Sequence, residues 1–61
     1  MPIVRIDMWA GASNELKRTL AKGITDVIVE NVKCPAQAVV IVFNEVPKDS
    51  WVIGGKLCSD V

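Results

Sequence analysis

Residues 2–9, Pro2-Ile3-Val4-Arg5-Ile6-Asp7-Met8-Trp9, alternate imperfectly and predict a strand beginning almost at the first residue. Val4, Ile6 and Met8 share one face, uniformly apolar, which calls for a covering helix. Ile3, Arg5, Asp7 and Trp9 share the other. That mixed face suits a partner subunit or a cavity, and Arg5 and Asp7 are placed to pair across strands. Ala10-Gly11-Ala12 reads as a short turn. Ser13, with Asn14 as the alternative, is a helix N-cap, and Glu15 falls in the first turn, where negative charge is favoured. From about 14 to 32 the period changes to that of a helix. Leu16, Leu20, Ile24, Val27 and Ile28 form its stripe, flanked by Ala21. Lys17, Arg18, Lys22, Asp26 and Glu30 lie off the stripe as a solvated face. There Lys22 and Asp26 stand at i,i+4, a pair worth roughly 0.2–0.5 kcal/mol. Gly23 costs a helix about 1 kcal/mol relative to alanine, which tight packing against another backbone would account for.

Asn31 through Pro35 end the helix, because Pro35 restricts Cys34 to an extended or turn conformation. After Ala36-Gln37-Ala38, the run Val39-Val40-Ile41-Val42-Phe43, extending into Asn44-Glu45, is apolar on both faces, as a central, doubly covered strand would be. Strand, helix, strand makes a βαβ unit with parallel strands and a right-handed crossover. Val46 to Ser50 reads as a loop, Trp51-Val52-Ile53 as a short extended segment, Gly54-Gly55 as a turn, and Lys56 to Val61 as a tail. The glycine pair lacks the spacing and following helix of a phosphate loop and serves as a hairpin hinge. The expected fold is α/β (α+β): a βαβ subunit with a short C-terminal hairpin, in a single domain spanning 1–61. Trp51 sits in a segment too short to have its own core. It is expected to pack into another subunit and to wall a pocket.

Composition adds a constraint. The chain has 61 residues, 51% of them apolar and 23% charged. So short a chain hides only a modest part of its surface, so this apolar excess predicts an extensive subunit interface. Seven basic and seven acidic residues cancel without a basic cluster, which argues against nucleic acid as a partner. Two cysteines, Cys34 and Cys58, make no secreted staple framework and read as reduced thiols of a cytoplasmic protein. With no histidine and no local ligand pattern, no metal site is expected. No transmembrane run is present, and the first strand starts too early for a basic leader.

Pro2 is the sharpest chemical feature. Proline is tolerated as the first residue of a strand, so its presence has a purely architectural explanation. Removal of Met1 gives that residue a second property, a free secondary amine on a rigid element. An α-amine titrates at about 7.7–8.0, and apolar surroundings such as Ile3, Ile6, Met8 and Trp9 lower that value toward a base active near neutral pH.

The chain closely resembles the 4-oxalocrotonate tautomerase family. The resemblance spans all 61 residues. It includes the Met1-Pro2 start, the strand to Trp9, Gly11, the Ser-x-Glu-x-Lys opening at Ser13, the strand to Glu45, and the aromatic-x-Ile-Gly-Gly-Lys-Leu segment from Trp51. It implies a tautomerase-like oligomer of βαβ subunits, a hexamer or, as in relatives, a trimer of paired units, working without a cofactor. Pro2 matches the catalytic proline that takes a proton from a dienol or 2-hydroxydienoate and returns it at another carbon. Trp51 matches an aromatic pocket wall, Trp9 a residue near the pocket, and Ala38 one at its edge.

Two departures bear on the substrate, a small organic acid. The family's loop arginine falls on Ala12, and its strand arginine falls on Val40. Both positions are apolar, which disfavours the usual dicarboxylate and also a hydrolytic dehalogenase. Arg5, the main candidate for a replacement cation, competes with Arg18 and Lys33. Two other readings share the scaffold: a non-catalytic oligomeric binding or structural protein, and proline-dependent hydration or decarboxylation of unsaturated acids.

Overall fold

The computed structural model describes residues 1–60; Val61, which ends the expected domain and tail, lies outside the described residues. The first strand, β1 (Ile3–Trp9), leads into helix α1 (Asn14–Val32). A 3-10 turn at Ala36–Ala38 then leads into β2 (Val40–Val46). β1 and β2 are parallel, with Ile3 beside Val40, Arg5 beside Val42, Asp7 beside Asn44 and Trp9 beside Val46. Parallel neighbours need a long return connection, and α1 supplies it. A second 3-10 turn, Lys48–Ser50, leads to the antiparallel pair β3 (Val52–Ile53) and β4 (Lys56–Leu57). The βαβ subunit with its C-terminal hairpin is therefore as expected. The tail is more ordered than expected: Lys56 and Leu57 pair with β3, and Cys58–Asp60 form a last 3-10 turn.

Local chemistry sets the ends of α1. Ser13 is extended, and its Oγ accepts the Leu16 N–H at 3.1 Å, satisfying one of the helix's orphan donors. At the other end Lys33 adopts a left-handed φ of 64°, and its N–H donates to the Val29 carbonyl at 3.1 Å. Glycine or asparagine is the usual occupant there, so nothing in the composition marks this lysine as the cap. Lys22 and Asp26 pair at 2.8 Å, as their spacing predicts.

The helix stripe needs correction. The positions turned toward the sheet are Lys17, Leu20, Ala21, Ile24, Thr25, Ile28 and Val29. Leu16 and Val27 are 47% and 59% exposed. The apolar residues of α1 cover more than one face, and only one face meets the strands. The remainder flank an open groove lined by Leu20, Gly23, Ile24 and Val27. A Cβ at Gly23 would meet nothing within 4 Å, so the backbone expected to pack there is not part of this subunit.

Lys17 also departs from its solvated-face assignment. Its Nζ lies 2.5 Å from Glu45 Oε2. The hydrogen bond from Lys17 holds the Glu45 carboxyl below its ordinary range. The lysine's charge and the backbone N–H groups of Gly11 and Ala12 act in the same direction, against partial desolvation. One carboxylate thus joins β2, the first turns of α1 and the loop between β1 and α1. The partners are 28 residues apart, beyond the reach of local pattern reading.

β2 is not the doubly covered strand its composition suggests. Ile41 and Phe43 face α1, whereas Val40 and Val42 stand exposed on the open side, beside Ile3 and Arg5. No described residue is fully buried. The accessible surface is 4661 Å², against about 3,900 Å² for a folded monomer of this length. The radius of gyration is 14.6 Å, against about 10.5 Å for a compact domain of the same size. These values describe a layer that needs a neighbour.

Two outcomes follow. Unfolding should depend on protein concentration, with the midpoint falling on dilution; a concentration-independent transition of a sedimenting monomer would contradict this. The depressed Glu45 carboxyl contributes stability above the pKa it has when unfolded, and this is lost as pH falls through its lower folded value. Glu45→Gln should therefore be less stable than the native chain near pH 7, with the gap closing in acid. Thermal melts of both proteins across that range measure it.

Candidate active site

Pro2 lies half-buried immediately before β1, and its carbonyl accepts the Val40 N–H at 3.0 Å. Its missing N–H costs the sheet nothing at this position. Ala38, also half-buried, closes the 3-10 turn with its N–H donated to the Pro35 carbonyl at 3.0 Å. The backbone therefore brings Pro2, Ala38 and Val40 to one end of the sheet. Met1 is 85% exposed there, so its removal disturbs no packing. While Met1 is attached, the Pro2 nitrogen is an amide and has no basic lone pair. Its loss creates the secondary amine.

The two tryptophans occupy the opposite end. Trp9 ends β1, and the rings of Trp9 and Trp51 meet edge to face, with centroids 6.2 Å apart and planes at 77°. Trp51, expected to reach into another subunit, thus packs first on its own chain. Its carbonyl accepts the Cys58 N–H at 2.8 Å, which fastens the hairpin back onto this end. Gly54 and Gly55 have φ of 60° and 81°, the left-handed pair that a two-residue hairpin turn requires. Lys48 Nζ stands 4.6 Å from the centre of the Trp9 ring. Trp9, Lys48, Ile53, Lys56 and Cys58 line a cleft of about 350 Å³. Sequence reasoning missed Lys48 and Lys56, because a lysine in a short turn or a two-residue strand carries no periodic signal until the fold around it is known.

Arg5 belongs to neither end. It lies mid-strand on the open sheet face, beside Val42, in a cleft it shares with Asp7 and Asn44. Of the cross-strand pairing expected for Arg5 and Asp7, Asp7 makes its part, since the parallel register sets Asn44 beside it. The Asn44 Nδ2 donates to the Asp7 carboxylate at 2.9 Å. Arg18 borders a shallow groove containing Asp26, and Lys33 caps α1. Ala12 is half-buried in the loop held by Glu45. Cys34 and Cys58 are free thiols. Among the described residues no three or more cysteine or carboxylate side chains gather as a metal site would require. Nor is any helix long and apolar enough to cross a membrane.

Pro2 and Trp9 stand at opposite ends of β1, about 23 Å apart by the rise of an extended strand. One chain therefore offers a proline end and an aromatic end, not a closed pocket. The chain is similar to known proteins along nearly its whole length. The family described as Tautomerase enzyme matches residues 2–61. A Lactiplantibacillus plantarum protein named "Probable tautomerase" is 40% identical over 60 residues, covering 98% of this chain and 94% of its own length. The crystal structure of a 4-oxalocrotonate tautomerase homologue superposes with a TM-score of 0.95 at 30% identity, covering 100% of this chain and 97% of that one. A heterohexamer 4-oxalocrotonate tautomerase from Chloroflexus aurantiacus gives a TM-score of 0.90 at 30% identity, covering 100% and 98%. The chain belongs to the tautomerase enzymes, and within them to the 4-oxalocrotonate tautomerase-like isomerases.

Proposed function

We propose that the chain, with residues 1–61 acting as one unit, is a cofactor-independent tautomerase whose catalytic group is the amine of Pro2 after loss of Met1. The observation that carries this reading is the position of Pro2: half-buried, at the head of a rigid strand, and held through its carbonyl by Val40. In an enol acid the amine accepts the hydroxyl proton as the carbonyl forms, and the resulting ammonium delivers a proton to carbon. One group serves as base and then acid, which requires an amine whose pKa lies near the working pH. Half-burial favours its neutral form.

The working site is composite. The proline end of one subunit receives the aromatic end of another, so Pro2, Ala38 and Val40 face Trp9 and Trp51. A homohexamer is the assembly we favour; the uncovered sheet face and the groove at Gly23 supply apolar surface for it. The free thiols fit a reducing, cytoplasmic setting. The substrate carries one carboxylate and a substantial apolar part. Ala12 and Val40 provide no cation, while two indoles provide an apolar wall. An enolised arylpyruvate meets these requirements better than 2-hydroxymuconate. With less positive charge near the developing oxyanion, turnover is slow.

Pro2→Ala should lower kcat/KM for phenylenolpyruvate ketonisation by at least about 100-fold, the lower range for a general acid–base group. An unchanged rate would defeat the mechanism. Intact mass of natively produced protein should show a chain lighter by one methionine; complete retention of Met1 would leave the non-catalytic scaffold as the better reading. Installing arginine at both Ala12 and Val40 should shift preference toward 2-hydroxymuconate, read as the ratio of the two kcat/KM values in an assembled variant.

A further inference from the structure

We propose that Lys48 and Lys56 hold the substrate's carboxylate beside the Trp9 ring, making the aromatic end the specificity-determining half of the site for aryl 2-oxo acids and their enols. The proposal rests on the reading that this end faces Pro2 of another subunit.

Four observations carry it. Both lysines line one cleft of about 350 Å³ with Trp9, Ile53 and Cys58, and among the described residues no carboxylate lines it. That volume is within the range of small-ligand pockets. The other candidate cation is differently placed: the cleft containing Arg5 also contains Asp7, whose negative charge opposes an incoming carboxylate.

Secondly, both lysines are set on fixed backbone. Lys48 begins the 3-10 turn after Pro47, closed by hydrogen bonds from the Ser50 N–H to Pro47 at 2.9 Å and from the Trp51 N–H to Lys48 at 3.3 Å. Lys56 is paired with Ile53 across the glycine turn.

Thirdly, the remaining cations are engaged or distant. Lys17 pairs with Glu45 and Lys22 with Asp26, Arg18 borders Asp26, and Lys33 lies away from this cleft in its own chain, as the C-cap of α1. Lys48 and Lys56 have no ion pair among the described residues.

Lastly, Lys48 lies at 4.6 Å over the Trp9 ring. An ammonium has three donors, so one side can rest on the indole face while others reach a carboxylate. An aryl 2-oxo acid combines the two features this surface recognises, a flat apolar ring and one adjacent anion.

The test uses the assembled protein and the variants Lys48→Gln, Lys56→Gln, their combination, and Arg5→Gln. Phenylenolpyruvate reports turnover. Phenylpyruvate and the uncharged phenylacetone report binding through indole fluorescence. The double lysine variant should raise KM for phenylenolpyruvate and Kd for phenylpyruvate about tenfold or more, the scale of one charged hydrogen bond. Its kcat should change less than about threefold, and phenylacetone binding should stay the same. Arg5→Gln should leave both acid constants near native. Unchanged acid binding in an assembled double variant overturns the proposal, as does a loss carried by Arg5→Gln instead. If the double variant fails to assemble, the native protein still decides. Phenylpyruvate affinity should weaken as ionic strength rises while phenylacetone affinity does not, and a salt-independent acid affinity overturns the anchor. The Pro2→Ala protein separates the two readings. Lost turnover with native phenylpyruvate affinity supports both. Retained turnover together with weakened binding in the lysine variants would end the Pro2 mechanism and leave the anchor standing.

Discussion

One helix laid on two strands covers only one side of each layer, and this limit governs the rest of the subunit. Val4, Ile6, Ile41 and Phe43 find partners on α1. Ile3, Val40 and Val42 do not, because α1, the one element among the described residues long enough to cover a sheet face, has been used. The result is a slab whose smallest extent is 13 Å. Burial of apolar area is the main favourable term in folding, so a chain that leaves this much uncovered gains its stability largely on association. Folding is therefore expected to be coupled to assembly, and the same incompleteness divides the candidate site between the two ends of β1.

Within the slab, the junction at Glu45 fixes the relation between helix and sheet. Its carboxylate accepts from Lys17 on α1 and from the Gly11 and Ala12 backbone, while its own backbone lies in β2 beside Met8. Three elements meet at one acceptor, at the end of the sheet that also carries Trp9. The aromatic end is therefore braced twice, by this ionic contact and by the edge-to-face indole pair. The proline end depends more on backbone pairing, with the Val40 N–H on the Pro2 carbonyl.

The elements were legible because each is encoded over a few residues. Alternation marks β1, the Ser13 cap and Pro35 bracket α1, and Gly54-Gly55 marks the hairpin turn. Facing was less legible. The apolar run 39–43 reads as a strand covered on both sides, and so it would be in an assembly. Composition reflects the assembled protein, whereas one subunit by itself achieves only its own half of the burial. The Leu16 and Val27 positions mislead for the same reason. Long-range polar contacts were the least legible. Lys17–Glu45 and Asp7–Asn44 span 28 and 37 residues, and both depend on a register that no local pattern specifies. For the site, Pro2 stood out through its chemistry and Trp51 through its motif. Lys48 became visible only when a 3-10 turn set it over Trp9.

Exchanging arginines for lysines in such a site changes more than charge position. Arginine presents a planar fork that fixes a carboxylate in two parallel hydrogen bonds; lysine presents a compact, strongly hydrated point charge on a flexible stem. A pair of lysines thus attracts an anion while constraining its orientation less, and the indole beneath Lys48 must supply the missing geometry by limiting where a flat substrate can lie. On the proposed reading, specificity shifts from counting carboxylates to matching an apolar shape, and the barrier to proton transfer is lowered less by electrostatic preorganisation. A proline amine tolerates this arrangement because it requires only that the substrate's hydroxyl and accepting carbon come within reach of one nitrogen. The rigid strand start fixes that nitrogen, while the anchored carboxylate, on the carbon next to the enol hydroxyl, sets where that hydroxyl lies.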